Sequence, residues 1–428
     1  MAAATVALSS GDPTTAPSRR TTHLSHRSSG CSFLSRFVRN RHAARGAAPR
    51  AAVAPRQVIG IDDEFDGRGK VVLITGANSG IGLEASRQLV EAGCTVLMAA
   101  QSLDKAEAAV KTLMTPGAEG AGGGGGGGSA EAVVFDLADL ESVRAWAREY
   151  VSSGQPLSAV VCNAGVAPDR EGAGFGPAAA GDDDAVERTA QGFERTVGVN
   201  HLGHFFLVSQ LLPSLRSTPD ARVVVTSGEI HNADSPDGKN GAPPTLGELD
   251  GLMSGPGFTM CDGGTYDGNK AYKDSKLCGV LFARELARRL EERVEVEVTG
   301  GGDGGRIVCN VFSPGFVPSS GLFRNQSPAV QALLKYAFNY PPLATSLPTA
   351  GLYTTHMVLG RETGITTGAY YCGAPDFYKE GESQGIGFLR GVFQPEFAVK
   401  QPSVEARDDV LARRLWELSE ELVGVSFF

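Results

Sequence analysis

Six short, β-branched apolar runs recur along this chain: VVLIT at 71–75, TVLMAA at 95–100, AVVFD at 132–136, SAVVCN at 158–163, RVVVTS at 222–227 and RIVCNVF at 306–312. Between most of them lie amphipathic stretches such as LDKAEAAVKTL and LESVRAWAREYV. Strand, helix, strand repetition of this kind predicts an α/β chain with a parallel sheet covered by helices on both faces. Three low-complexity pieces interrupt the pattern, at about 117–130, 169–185 and 299–305. Each falls after a predicted helix or strand, where extra length in a surface loop costs little entropy, and none is expected to carry function.

Residues 1–56 differ from the rest. They hold nine arginines, no lysine, one acid (Asp12) and many Ser, Thr and Ala. This composition reads as an organellar transit peptide, with 57–428 as the folded domain. A basic arm for nucleic acid is the alternative, and the scarcity of acids beside abundant hydroxyls favours targeting. Composition does not separate chloroplast from mitochondrion. Without the leader the chain has 30 basic and 47 acidic residues, so the body is a poor nucleic-acid binder. Seven cysteines are scattered with no CxxC pair and no metal-ligand spacing, so free thiols and no metal site are expected. No run reaches the roughly 18 apolar residues that span a bilayer.

The first chemical signal is TGANSGIG at 75–82, directly after the first strand and before the helix LEASRQLVEAG. Gly76, Gly80 and Gly82 allow a tight turn and a close approach of backbone N–H groups to a pyrophosphate at a helix N-terminus, with Asn78, Ser79 and Ile81 in the same turn. Its place after the first strand makes the sheet a single Rossmann-type, doubly wound one. After the second strand a dinucleotide fold selects its cofactor. A carboxylate there would hold the ribose 2′-hydroxyl of NAD and repel the 2′-phosphate of NADP. This chain has Ala100, Gln101 and Ser102 instead, and Lys105 is placed to reach a phosphate. Asp136, after the third strand, is placed to accept from an adenine amino group; a helix N-cap is the simpler role and both are compatible. After the fourth, Asn163, Ala164 and Gly165 form a small-residue turn that lets the sheet edge lie against a cofactor.

Tyr272 and Lys276 stand one helical turn apart in GGTYDGNKAYKDSK (263–276). A tyrosine hydroxyl with a pKa near 10 is a reluctant acid or base at neutral pH. An ammonium on the same helix face stabilises its anion, and the pair then acts as a proton-transfer unit beside a hydride donor. The spacing alone is common. Together with the glycine turn, Asp136, the CNAG turn and Asn200 in VGVNHLGHFFL it is not a chance pattern.

These residues resemble the short-chain dehydrogenase/reductase family over 68–300. TAQGFERTVGVNHLGHFFL, LGELDGL, DGGTYDGNKAYKDSKLC and PGFVPSSGLFR resemble one branch, the light-dependent protochlorophyllide reductases. The resemblance implies an NADPH-dependent reduction of one ring double bond of a magnesium tetrapyrrole in the chloroplast, with light supplying driving energy. It also implies a water-linked relay from Asn200 to Lys276 and Tyr272. A branch-specific insertion spans 232–269, Tyr266 resembles a second aromatic of variable role, and the substrate lid falls at about 317–347. Peripheral contact with plastid membranes and self-association are further expectations. The chain departs from the branch at Phe316, where the family has a cysteine, and at Gly228, where it has a catalytic Ser or Thr. Gln101 replaces an arginine, and Ala100 a cysteine. Ser227 is adjacent to Gly228 but would face the other side of a strand. Phe316, Tyr266 and Ser227 are the candidate substrate contacts.

His201 and His204 are expected to pack or hydrogen-bond rather than ligate metal, and Trp146 and Trp416 to be core. Two other readings stay open: a dehydrogenase acting on another lipophilic carbonyl or alcohol, and a pigment- or nucleotide-binding protein without catalysis.

Overall fold

The computed structural model describes residues 65–115, 127–168, 186–299, 305–320, 344–373 and 397–428. The leader, most of each low-complexity piece and residues 321–343 of the expected lid lie outside them. The eight-stranded sheet has the order β3-β2-β1-β4-β5-β6-β7-β8. Its strands are β1 (Val71–Thr75), β2 (Thr95–Ala100), β3 (Ser129–Val134), β4 (Ala159–Cys162), β5 (Ala221–Thr226), β6 (Ile307–Ser313), β7 (Tyr370–Cys372) and β8 (Ala398–Lys400). Every pair is parallel except β7 with β8.

The central strands are apolar because both faces are covered. On one side pack α1 (Gly80–Glu91), α2 (Leu103–Met114) and α8 (Leu347–Leu359), around Ile74, Leu89, Met98, Tyr353 and Met357. On the other lie α3 (Leu140–Ser152), α5 (His204–Arg216), α7 (Gly268–Thr299) and the C-terminal α10 (Asp409–Val423), around Phe205, Leu211, Leu281 and Trp416. Short helices α4 (Arg195–Val197), α6 (Asp250–Met253) and α9 (Arg361–Ile365) complete the described set. The order in which strands are added to the sheet reverses between β1 and β4, which opens a crevice at the C-terminal ends of these strands, the ligand position in such folds. No helix among the described residues is long and apolar enough to cross a membrane. Six of the cysteines are described, all buried and free.

Two details differ from the sequence reading. The third strand is Ser129–Val134 rather than 132–136. It is an edge strand with Glu131 and Ala132 exposed, so the ladder to β2 sets its position rather than its apolar run. Strands β7 and β8 went unread because runs of three residues carry no periodicity. The branch-specific 232–269 insertion packs into the body of the domain: Leu246, Leu249, Leu252, Phe258 and Cys261 join the main core. Of the two tryptophans, Trp416 is fully buried and Trp146 half-buried, stacked between Phe135 and Tyr150.

Candidate active site

The glycine turn is built for close approach. Gly76 and Gly80 have φ of 66° and 56°, conformations that side chains disfavour. A Cβ on Gly82 would stand 2.5 Å from the Gly76 carbonyl and 2.7 Å from Asn163 Nδ2. The first turn of α1 holds no acid, and the N-cap Ser79 makes no side-chain cap bond, so the N–H groups there, with Asn78 and Ile81 half-buried alongside, suit an anion.

Thr75, the last residue of β1, ties this turn to β4. Its hydroxyl accepts from Asn163 N and Ala164 N, both at 2.9 Å, and Asn163 Nδ2 donates to the Thr75 carbonyl at 2.8 Å. His204 Nε2 lies 2.9 Å from the same hydroxyl, and its Nδ1 lies 3.1 Å from the Asn200 carbonyl. Burial lowers the His204 pKa to about 4, so the ring is neutral. A carbonyl only accepts, so Nδ1 carries the proton and Nε2 accepts from Thr75.

Asn200 sits in a π-helical turn, Gly198–Gly203, between α4 and α5. Such turns recur at functional sites, and Gly203 fits here because a Cβ would meet the Leu137 carbonyl at 2.6 Å. The Asn200 amide is committed on three sides. Oδ1 accepts from Val166 N (2.8 Å), and Nδ2 donates to the Val166 carbonyl (2.9 Å) and to Ser275 Oγ (3.0 Å). Ser275 in turn donates to the Tyr272 carbonyl at 2.7 Å. Asn200 therefore holds the loop after β4 against α7.

On α7, Lys276 is 7% exposed and donates to the Thr226 carbonyl at 3.3 Å. Its Nζ lies 5.4 Å from the centre of the Tyr272 ring. A Cβ at Gly165 would be 3.6 Å from both Lys276 Nζ and Asn200 Oδ1, so the three meet at the crevice. Burial lowers the Lys276 pKa to about 8 and pushes the Tyr272 phenol up. This corrects the electrostatic expectation: the ammonium rests on the ring rather than bonding the hydroxyl, and desolvation keeps the phenol protonated.

The remaining candidates divide. Asp136 is half-buried and accepts from Ala138 N at 2.9 Å; the N-cap of α3 is Asp139, not Asp136. Lys105 and Gln101 are exposed at the start of α2, and the N-cap hydroxyl of Ser102 makes no cap bond. Ser227 is 4% exposed and its hydroxyl donates to the Lys276 carbonyl at 2.9 Å, so its proton is engaged in bracing α7. Gly228 is extended, with only Ile230 near the position of a Cβ. Tyr266 is half-buried at the start of α7, its hydroxyl beside Gly268, and Phe316 is half-buried in the loop after β6, its carbonyl accepting from Thr345 N at 2.7 Å. His201 is buried and meets Ser419 Oγ at 2.9 Å. No cluster of metal ligands occurs among the described residues. Sequence reasoning missed Thr75 and Ser275, while the hydrogen-bonding role expected of His204 is borne out. Ser275 was legible as the residue three after Tyr272 on the same helix.

A glycine turn at a sheet crevice, with a half-buried tyrosine one turn from a buried lysine and an asparagine clamp beside them, defines an NAD(P)H-dependent oxidoreductase. A short chain dehydrogenase family model matches residues 70–238. The chain is 34% identical to protochlorophyllide reductase A, chloroplastic, of Oryza sativa subsp. japonica, over 83% of this chain and 81% of that protein. It is also 34% identical to the protochlorophyllide reductase of Avena sativa, over 83% of this chain and all of that one (100%). Among solved structures, an uncharacterised protein from Mycobacterium paratuberculosis superposes with a TM-score of 0.54 at 24% identity, covering 85% of this chain and 97% of that one, which shows the fold. The chain belongs to the short-chain dehydrogenase/reductase family. Its relatives' chloroplast location agrees with the reading of residues 1–56 as a transit peptide.

Proposed function

We propose that the chain is an NADPH-dependent reductase of a tetrapyrrole ring double bond in chlorophyll biosynthesis, driven by light absorbed by the pigment. The observation that carries this reading is the Tyr272–Lys276–Asn200 arrangement, present in a chain aligned with protochlorophyllide reductases along most of their length. When bound, the dinucleotide supplies a hydride. Gly76, Gly80 and Gly82 admit its pyrophosphate, and the absence of a carboxylate at Ala100, Gln101 and Ser102 leaves room for a 2′-phosphate near Lys105. Lys276 has a single hydrogen bond and N–H groups to spare for a ribose. Tyr272, kept neutral by burial, holds the proton for the second carbon.

Gly228 weighs against a carbonyl substrate, though it is also a departure from the protochlorophyllide reductase pattern, which has Ser or Thr there. A carbonyl substrate needs a donor for its developing oxyanion, and Gly228 provides no hydroxyl while that of Ser227 is engaged with Lys276. Reduction of a carbon–carbon bond needs no such donor. Phe316 offers a flat apolar surface in the loop after β6, suited to a flat pigment.

The test is to mix the protein with NADPH and protochlorophyllide in darkness, flash the sample and follow absorption. A red-shifted chlorophyllide band is the expected result. Pigment binding without conversion would mark a non-catalytic binder, and NADPH oxidation by small carbonyls alone would mark a dehydrogenase of another substrate.

A further inference from the structure

Lys273 is 2% exposed, one residue past Tyr272, and has no part in the chemistry above. Its Nζ donates to three main-chain carbonyls: Gly238 at 2.9 Å, Asn240 at 2.6 Å and Ala242 at 2.9 Å. An ammonium has three N–H groups, and three carbonyls converge on it. All belong to the segment between β5 and α7, so the one side chain gathers acceptors from five consecutive residues, 238–242. All three distances exceed the 2.0–2.1 Å of magnesium, and two of them the 2.3–2.6 Å of calcium. They suit an ammonium or a large monovalent ion, which carbonyl rings are known to coordinate.

We propose that Lys273 is a positioning residue that acts as a tethered cation, its ammonium filling a carbonyl cage that locks residues 238–242 to the catalytic helix and so sets the place of Tyr272. Shortening the side chain exposes a latent monovalent-cation site. The neighbouring contacts agree with a lock at this point. Thr245 N donates to Asp274 Oδ1 at 3.0 Å and Lys270 Nζ donates to the Thr245 carbonyl at 2.8 Å, so the same segment is fastened again one turn away. The effect on turnover rests on the proposed role of Tyr272; the effect on the segment does not.

The experiment uses the full chain with Lys273→Ala and Lys273→Met. In Lys273→Ala, amide exchange across 238–242 is expected to accelerate about tenfold or more. Pigment turnover is expected to fall by a similar factor while NADPH affinity stays within about twofold. Ammonium or potassium chloride restores both readouts, and tetramethylammonium chloride, which is too large and cannot donate, restores neither. Lys273→Met fills the stem volume without a donor or room for an ion, so its exchange is fast and no salt rescues it. Equal effects of all salts on Lys273→Ala, or wild-type exchange in Lys273→Met, would overturn the proposal. If Lys273→Ala does not fold, the Met variant alone decides. Salt-specific rescue of exchange with no pigment turnover in the wild type would leave the cage intact and refute the substrate reading instead.

Discussion

Two faces of helix α7 treat charge in opposite ways. Toward the segment that precedes it, Lys270 pairs with Asp274 at 2.6 Å and Asp262 at 3.0 Å, and Lys273 fills its carbonyl cage. Toward the glycine turn, Lys276 has one hydrogen bond, at 3.3 Å, and an aromatic face. Both faces are buried. The first is satisfied by the protein itself and is structural. The second keeps a desolvated cation with unused donors, an unfavourable arrangement in the folded chain that persists because a ligand is meant to complete it.

Removing one partner on the satisfied face has the largest expected effect. Lys270→Met strands Asp274, which is fully buried, and is expected to destabilise the protein by about 3–5 kcal/mol in denaturant titration. Adding Asp274→Leu should recover most of that loss. A single variant of wild-type stability would show that the seam contributes little and that the contrast between faces is wrong.

The opposite face responds with the opposite sign. The Lys276 pKa falls from 10.5 to about 8 on folding, so burying its ammonium costs about 3 kcal/mol at neutral pH. The unfolded chain binds more protons between pH 8 and 10.5, so stability should rise with pH through that window and the cost should be complete below it. Lys276→Met is expected to raise neutral-pH stability by up to about 3 kcal/mol, flatten that slope and lower turnover by about 10²–10³-fold. A destabilised variant would mean the ammonium is better satisfied than its one bond suggests.

A third variant addresses the turn that Lys276 faces. In Gly82→Ala the new Cβ would press on the Gly76 carbonyl and on Asn163 Nδ2, at 2.5 and 2.7 Å. A loss of about 1–3 kcal/mol is expected, seen as weaker NADPH binding by calorimetry more than as lower melting temperature. The distinction matters because Asn163 links the turn to Thr75.

Periodicity and local chemistry made the sheet, the glycine turn and the Tyr–Lys spacing legible from sequence. What escaped was set by contacts between distant residues. Nothing local distinguishes Thr75 as the junction of Asn163, Ala164 and His204, and the neutral form of His204 follows only from its burial. The sequence reading placed Lys276 beside the Tyr272 hydroxyl because helix spacing gives a shared face, but spacing does not say whether an ammonium reaches the oxygen or stops on the ring. The 232–269 insertion was legible only as branch-specific, and its glycines and polar residues hide five positions that bury in the main core. Ser227 shows the same limit in reverse: its residue type suggested substrate contact, while its strand position aims it at the Lys276 carbonyl.

Gly228 gives the smallest effect on stability and the sharpest one on chemistry. Its φ of −169° is ordinary extended backbone, and a Cβ there would meet only Ile230 Cγ2, at 3.5 Å. Gly228→Ser should therefore fold with a stability change under about 1 kcal/mol. It returns a hydroxyl to the position where the resembled family has Ser or Thr. If the missing donor is what disfavours carbonyls, NADPH oxidation by small lipophilic ketones should appear or rise about tenfold in Gly228→Ser, with pigment conversion changed little. An unchanged ketone rate would mean that the crevice excludes carbonyls by shape, and the preference for a ring double bond would then rest on Phe316 and the loop after β6.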